Sequence, residues 1–229
     1  LIFISNNNEI VLGQMWHKTL SNISSFGTNN DYITRRFAIN CLHKALLQYP
    51  IKIQNKKSFI EPLKLLFQTV LFPLLLQLTK LENERLSRAQ SQRRPVVNTN
   101  TSNDETISNN KEEATDDLRL KLLTLIFQVW LHDMNILIEY DTNNFHILWY
   151  KFLSTIRKFI FMVGNGNNNL VTHCCESLKN VILVFQASNI FDTLANRTNT
   201  NVWEESWNIL IGQDTCAPQI LQLKQEFVR

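Results

Sequence analysis

Glycine and proline are scarce, five of each in 229 residues. Strand-rich folds use both at their many turns, so the shortage weighs against a sheet. Cysteine is sparse too. Cys41, Cys174, Cys175 and Cys216 are too few for an extracellular disulfide framework in so long a chain, and the adjacent Cys174 and Cys175 are poorly placed to bridge each other. All four read as reduced, cytosolic thiols. A net charge of +3 is too small for the strongly basic face that nucleic acid demands, which excludes it as an expected partner. A long uninterrupted apolar run is also missing. The most apolar stretch, Leu63 to Leu78, is broken by Lys64, Gln68, Pro73 and Gln77, and reads as a core helix and not a membrane span.

What the chain does have is apolar residues at three- and four-residue spacing, with 44% hydrophobic residues overall. About eight helices are expected. The first runs roughly from Glu9 to Leu20. Asp31 is placed to cap the second, which sets Ile33, Phe37, Cys41 and Ala45 on one stripe with Ile39, Leu42 and Leu46 beside it, and ends before Pro50. Ser58 can cap a third helix carrying Leu63, Leu66, Phe67, Val70, Leu71, Leu74, Leu75 and Leu78, kinked or broken at Pro73. A fourth starts at Thr115 or Asp116 and carries Leu122 to Leu137, with a turn at Asn143-Asn144. A fifth sets Phe145, Leu148, Trp149, Phe152, Ile156, Phe159 and Ile160 inward and closes at Gly164. Three more follow, around Leu170–Phe185, Trp203–Leu210 and Ile220–Phe227.

Between the third and fourth helices, residues 87–115 are rich in Ser, Thr, Asn and Gln and nearly empty of apolar side chains. Such a stretch offers too little surface for burial to offset its ordering entropy, so a disordered polar loop is expected. Residues 1–229 otherwise read as one helical-repeat segment, cut from a longer chain since it opens on Leu1. Helix pairs of roughly 40 residues, stacked so that each buries its neighbour's apolar face, give an all-α, armadillo/HEAT-like solenoid.

No catalytic constellation emerges. His173, Cys174 and Cys175 lack the spacer that zinc ligands need, and on a helix they point about 100° apart. Glu112-Glu113, Asp116-Asp117 and Glu204-Glu205 are neighbours in sequence and not facing carboxylates. His17, His43, His132 and His146 each stand alone. Gly164-Asn165-Gly166 lacks the Lys-Ser/Thr of a phosphate loop. The segment reads as a binding scaffold without enzymatic activity, cofactor or metal. Its candidate contact residues are Lys151, Arg157 and Lys158, interleaved with Phe152, Ile156, Phe159 and Phe161 as in a basic amphipathic helix, and Lys56 and Lys57 in a loop. They would meet a membrane surface or a partner.

Four blocks occur in a familiar order: Phe67-Gln68-Thr69-Val70-Leu71-Phe72-Pro73-Leu74-Leu75, Leu148-Trp149-Tyr150-Lys151-Phe152-Leu153, Glu176-Ser177-Leu178-Lys179-Asn180-Val181-Ile182-Leu183-Val184, and Trp203 followed by Ser206-Trp207 and Ile209. The chain thereby resembles the C-terminal helical region of the large Golgi Arf guanine-nucleotide exchange factors, the brefeldin-A-resistance-factor type known in fungi as Gea proteins. The likeness covers about Asp31 to Leu210. It implies a regulatory and targeting scaffold of a protein that promotes GDP-to-GTP exchange on Arf GTPases in vesicle-mediated transport. It further implies a cytoplasmic location cycling to Golgi membranes, contact with the membrane or its regulators, and possible self-association. The family's exchange loop, Phe-Arg-x-Pro-Gly-Glu, has no counterpart, since Phe59-Ile60-Glu61-Pro62 is a different sequence. A generic armadillo/HEAT-type trafficking adaptor sharing only the helical periodicity is the alternative.

Overall fold

The computed structural model describes residues 6–48, 56–92, 104–164, 168–212 and 218–227. Among them the regular structure is helical: α1 (Asn6–Phe26), α2 (Tyr32–His43), α3 (Ile60–Leu65), α4 (Phe72–Gln92), α5 (Asp104–Tyr140), α6 (Thr142–Val163), α7 (Asn168–Ala187), α8 (Ile190–Thr198), α9 (Val202–Ile211) and α10 (Pro218–Phe227). The helices form antiparallel hairpins, α1 with α2, α4 with α5, α6 with α7, and α9 with α10. The first helices of the hairpins pack side by side as one layer, α1 on α3 and its following turn, α4 on α6, and α6 on α9. The second helices form the other layer, α2 on α5, α5 on α7 and α7 on α10. This is a two-layer helical-repeat solenoid. The hairpins exceed the forty-residue unit: their first members, α1, the continuous α3–α4 run, α6 and α9, begin at Asn6, Ile60, Thr142 and Val202.

Local chemistry explains the helix limits. Asp31 caps α2, its carboxylate accepting from the Thr34 backbone N–H (2.8 Å) and hydroxyl (2.7 Å). Arg35, itself buried, donates to the carbonyls of Asn29 and Asn30 and so pins the α1–α2 turn. Pro73 does not end its helix. A π-helical turn over Leu66–Leu71, in which the Phe72 N–H donates to the Phe67 carbonyl, joins α3 to α4 just ahead of the proline. The wider turn takes up the register that a proline, lacking an N–H, cannot hold. Gly164 closes α6 at φ +57°, donating its N–H to the Ile160 carbonyl.

Several boundaries differ from expectation. The α2 stripe turned inward is Ala38, Ile39 and Leu42, continued by Leu46, whereas Ile33 (74% exposed) and Phe37 (70%) face outward. Two overlapping apolar stripes compete on this helix, and packing against α5 decides between them. The turn between α5 and α6 is Asp141, so Asn143 and Asn144 lie in the first turn of α6. Phe59 and not Ser58 is the cap residue of α3, and it makes no side-chain cap bond. Helix α8, with Ile190, Phe191 and Leu194 buried, has no counterpart among the expected elements. Within the polar stretch 87–115, α4 continues to Gln92 and α5 begins at Asp104, while residues 93–103 lie outside the described ones. In this polar end of α4 two serine hydroxyls bond back one turn, Ser87 to the Asn83 carbonyl and Ser91 to the Ser87 carbonyl.

The helix Ile60–Arg88 and the helix Leu118–Tyr140 are long and apolar enough to cross a membrane by length and composition alone. About half or more of each apolar window (61% and 50%) is buried inside the fold, so both serve as core helices. Their rings start an aromatic chain that threads the layers. Phe67 meets Trp130 at 5.1 Å, Trp130 stacks on Phe152 at 4.4 Å, and Phe152 on Trp149 at 5.5 Å. Trp149 meets Phe185 at 4.7 Å, Phe185 meets Phe191, and Phe191 meets Trp203. Each such pair adds about 0.5–1.5 kcal/mol beyond area burial, and the Trp130–Phe152 stack couples the α4–α5 hairpin to the α6–α7 hairpin.

Candidate functional site

Helix α6 lies between α4 and α9 in the first layer and is also covered by α5, α7 and α8. Its start is fixed by charge. Lys64 of α3 bonds the Asp141 carboxylate at 2.8 Å and Glu61 at 2.7 Å, with Lys64 and Asp141 both less than one-fifth exposed. Burial alone would lower the Lys64 ammonium, but its bonds to Asp141 and Glu61 outweigh this and hold it above its ordinary value. At the other end, the Asn83 amide of α4 donates to the Met162 carbonyl at 2.6 Å and so caps α6 from outside.

With α6 held this way, Phe152, Ile156 and Phe159 point into the core and are not available to a membrane. The candidate cations separate. Lys151 and Lys158 are exposed and, at 100° per residue, fall on one face with Ile147 and Phe161, the last 74% exposed. Arg157 faces α9 instead. Its guanidinium lies over Gly212, where an added Cβ would come within 2.0 Å of it. Lys56 and the exposed Lys57 sit in a 3₁₀ turn (Lys56–Phe59) packed on α1. That turn precedes Lys64 and so lies at the end of the layer where α6 begins. Lys158 follows Asp141 by seventeen positions, about 25 Å along the axis. The five residues therefore do not converge. The outward face of α6 is a short basic stripe bounded by Ile147 and Phe161.

Beside this stripe, α6 and α9 part to leave a cleft of about 340 Å³. His146 and Tyr150 line it from α6, their rings edge-to-face at 5.8 Å. The first turn of α9 supplies Asn201, Glu204 and Glu205 on the other side. Burial raises the Tyr150 hydroxyl above its ordinary value. Glu204 and Glu205 read from sequence as mere neighbours, and His146 as solitary. Only the packing of α6 on α9 makes them face one another, and nothing in their local sequence signals it.

Other reactive groups are committed elsewhere. His17 bonds the Thr69 hydroxyl (2.8 Å), His132 the adjacent Asp133 (2.7 Å), and His173 the Thr124 hydroxyl (3.2 Å). Cys174 is fully buried, which pushes its thiol well above the ordinary value and keeps it protonated and unreactive. Cys216 lies outside the described residues. Among the described residues no group of three His, Cys, Asp or Glu side chains is arranged to hold a metal ion. The Glu176–Asn180 block, the most specific part of the resemblance, sets Leu178 in the core and pairs Lys179 with Glu226 of α10.

These features define a class: an all-helical repeat scaffold whose exposed chemistry lies on helix faces and in the groove between them. A family model described as the GBF1-like tetratricopeptide repeat region matches residues 16–220, nearly the whole chain. The chain belongs to this family, the helical-repeat region that its four sequence blocks resemble. No curated protein and no solved structure matches it.

Proposed function

We propose that this chain is a non-catalytic regulatory and targeting scaffold of an Arf guanine-nucleotide exchange factor, acting in Golgi vesicle trafficking. The parent protein exchanges GDP for GTP on its Arf GTPase through a separate domain, works in the cytoplasm and cycles to Golgi membranes. The repeat region holds it there. What supports this reading is the outward face of α6: two cations, Lys151 and Lys158, flanked by exposed Ile147 and Phe161, on a chain of the GBF1-like family. Lysines near an anionic surface contribute about 1 kcal/mol each, and an aromatic ring at the interface adds apolar burial. Lys56 and Lys57 give the layer a second cationic point at the opposite end of α6. A scaffold of this kind raises the rate by effective concentration, leaving the chemical step untouched.

The test compares exchange on a soluble Arf-family GTPase with exchange on the liposome-bound GTPase, using the parent protein with Lys151→Glu, Lys158→Glu and Phe161→Ala combined. Activity in solution should be unchanged, while activity on anionic liposomes should fall at least tenfold. Equal loss in both assays, or no loss in either, would overturn the proposal.

A further inference from the structure

The polar end of α4 takes no part in the core or in the proposed membrane contact. The last buried residue described in this helix is Glu82, and after it Ser87, Arg88 and Ser91 are all exposed. Beyond Asn83 the bonds among the described residues are local. The Ser87 hydroxyl donates to the Asn83 carbonyl and the Ser91 hydroxyl to the Ser87 carbonyl, each at 2.9 Å, and Arg88 faces Glu84 at 3.8 Å. A helix end held only in this way unwinds at little cost, because no buried contact is lost when it opens.

Arginine stands three positions before a hydroxyl at two places in the sequence, Arg88 before Ser91 and Arg197 before Thr200. Arginine-directed protein kinases choose their serine or threonine by this charge pattern: a kinase carboxylate binds the guanidinium while the hydroxyl reaches the ATP. The residues around the hydroxyl must also extend into the kinase. The fold separates the two places on that requirement. Thr200 lies in the turn between α8 and α9, where its hydroxyl is bonded to that of Thr198 at 2.7 Å and to Tyr150. Asn199 before it is left-handed at φ +55°, and the buried Leu194 and Val202 lie on either side. Extending this turn would unpack both. Ser91 asks only that the last turns of α4 unwind, and Arg88, its side chain 77% exposed, is open to a kinase carboxylate.

We propose that Ser91 is the phosphate acceptor of an arginine-directed serine/threonine kinase. The Ser91 Oγ attacks the γ-phosphorus of ATP, and the bond from that phosphorus to the β–γ bridging oxygen breaks. ADP leaves, and the hydroxyl proton passes to the catalytic aspartate of the kinase. The product carries about −1.5 to −2 charges at pH 7. Arg85, Arg88, Arg93 and Arg94 surround Ser91 in the sequence, so one phosphate offsets about half of this basic run. The site stands independently of the exchange-factor reading.

The experiment incubates the full chain with magnesium ATP and a kinase of the calmodulin-dependent type, which reads a single arginine at this spacing. Mass spectrometry locates and counts the phosphate over time. Synthetic peptides spanning 86–96 and 195–205 serve as unfolded references, and both should accept phosphate. In the folded chain Ser91 should be modified at least tenfold faster than Thr200. Arg88→Ala should slow Ser91 at least tenfold, the loss expected for one charge-assisted pair, at unchanged melting temperature since the side chain is exposed. Arg197→Ala should leave the Ser91 rate as it was. Thr200 modified as fast as Ser91, Ser91 left unmodified, or an unchanged rate in Arg88→Ala would each overturn the proposal. So would a 195–205 peptide as inert as Thr200 in the chain, because the fold would then not be what separates the two.

Discussion

The bond between Trp149 and Ser206 is the most informative single contact to break. Trp149 is fully buried, and its indole N–H donates to the Ser206 hydroxyl at 2.8 Å across the α6–α9 interface. Ser206 in turn donates to the Val202 carbonyl one turn back in α9. Ser206→Ala removes one oxygen and leaves the indole N–H without a partner in a site that no water reaches. The cost should be about 1–3 kcal/mol, the penalty for an orphaned buried donor. In the Trp149→Phe background no donor exists. The same Ser206→Ala change then loses only a weak back-bond and gains up to about 0.5 kcal/mol of helix propensity, so it should be close to neutral. The coupling energy from urea unfolding, followed by tryptophan fluorescence, should be about 1–2 kcal/mol. In a chain of this size each kcal/mol moves the melting temperature by about 2–4 °C, so Ser206→Ala alone should be visible in a thermal scan. If Ser206→Ala costs the same in both backgrounds, the hydroxyl serves only its own helix, and the idea that it completes the aromatic core is wrong.

Leu178→Ala, at a fully buried position of α7, should destabilise by about 2–5 kcal/mol in the same assay. Gly212→Ala should destabilise by about 1–3 kcal/mol from its backbone alone, since φ +63° with ψ −173° lies in a region essentially reserved for glycine. The clash with Arg157 adds to that, and Arg157→Ala should relieve only the second part. Bonds from the Thr34 hydroxyl, then from its backbone N–H, hold the Asp31 carboxyl below its ordinary value. Its contribution is therefore present above the unfolded-state value and lost as pH falls through the folded one. Asp31→Asn keeps the acceptor and should flatten that acid limb of the stability curve, whereas an unchanged limb would remove Asp31 as its source.

The all-helical class and most of the core were legible in the sequence, because three- and four-residue spacing is a property of one helix by itself. So were the local stops and starts that depend on neighbouring residues alone, such as the Asp31 cap and the Gly164 closure. The sequence also carried the family, through the four ordered blocks that the match over residues 16–220 now spans. Tertiary structure decided everything that depends on a second helix. It chose Ala38, Ile39 and Leu42 over Ile33 and Phe37 as the inner stripe of α2. It committed Phe152, Ile156 and Phe159 to the core, turned Arg157 onto Gly212, and left Lys151 and Lys158 beside Phe161. It also brought His146 and Tyr150 opposite Glu204 and Glu205, residues more than fifty positions apart. Helical periodicity says which side chains share a face, but which face is buried, and what it meets, is fixed by the free energy of packing against neighbours far away along the chain.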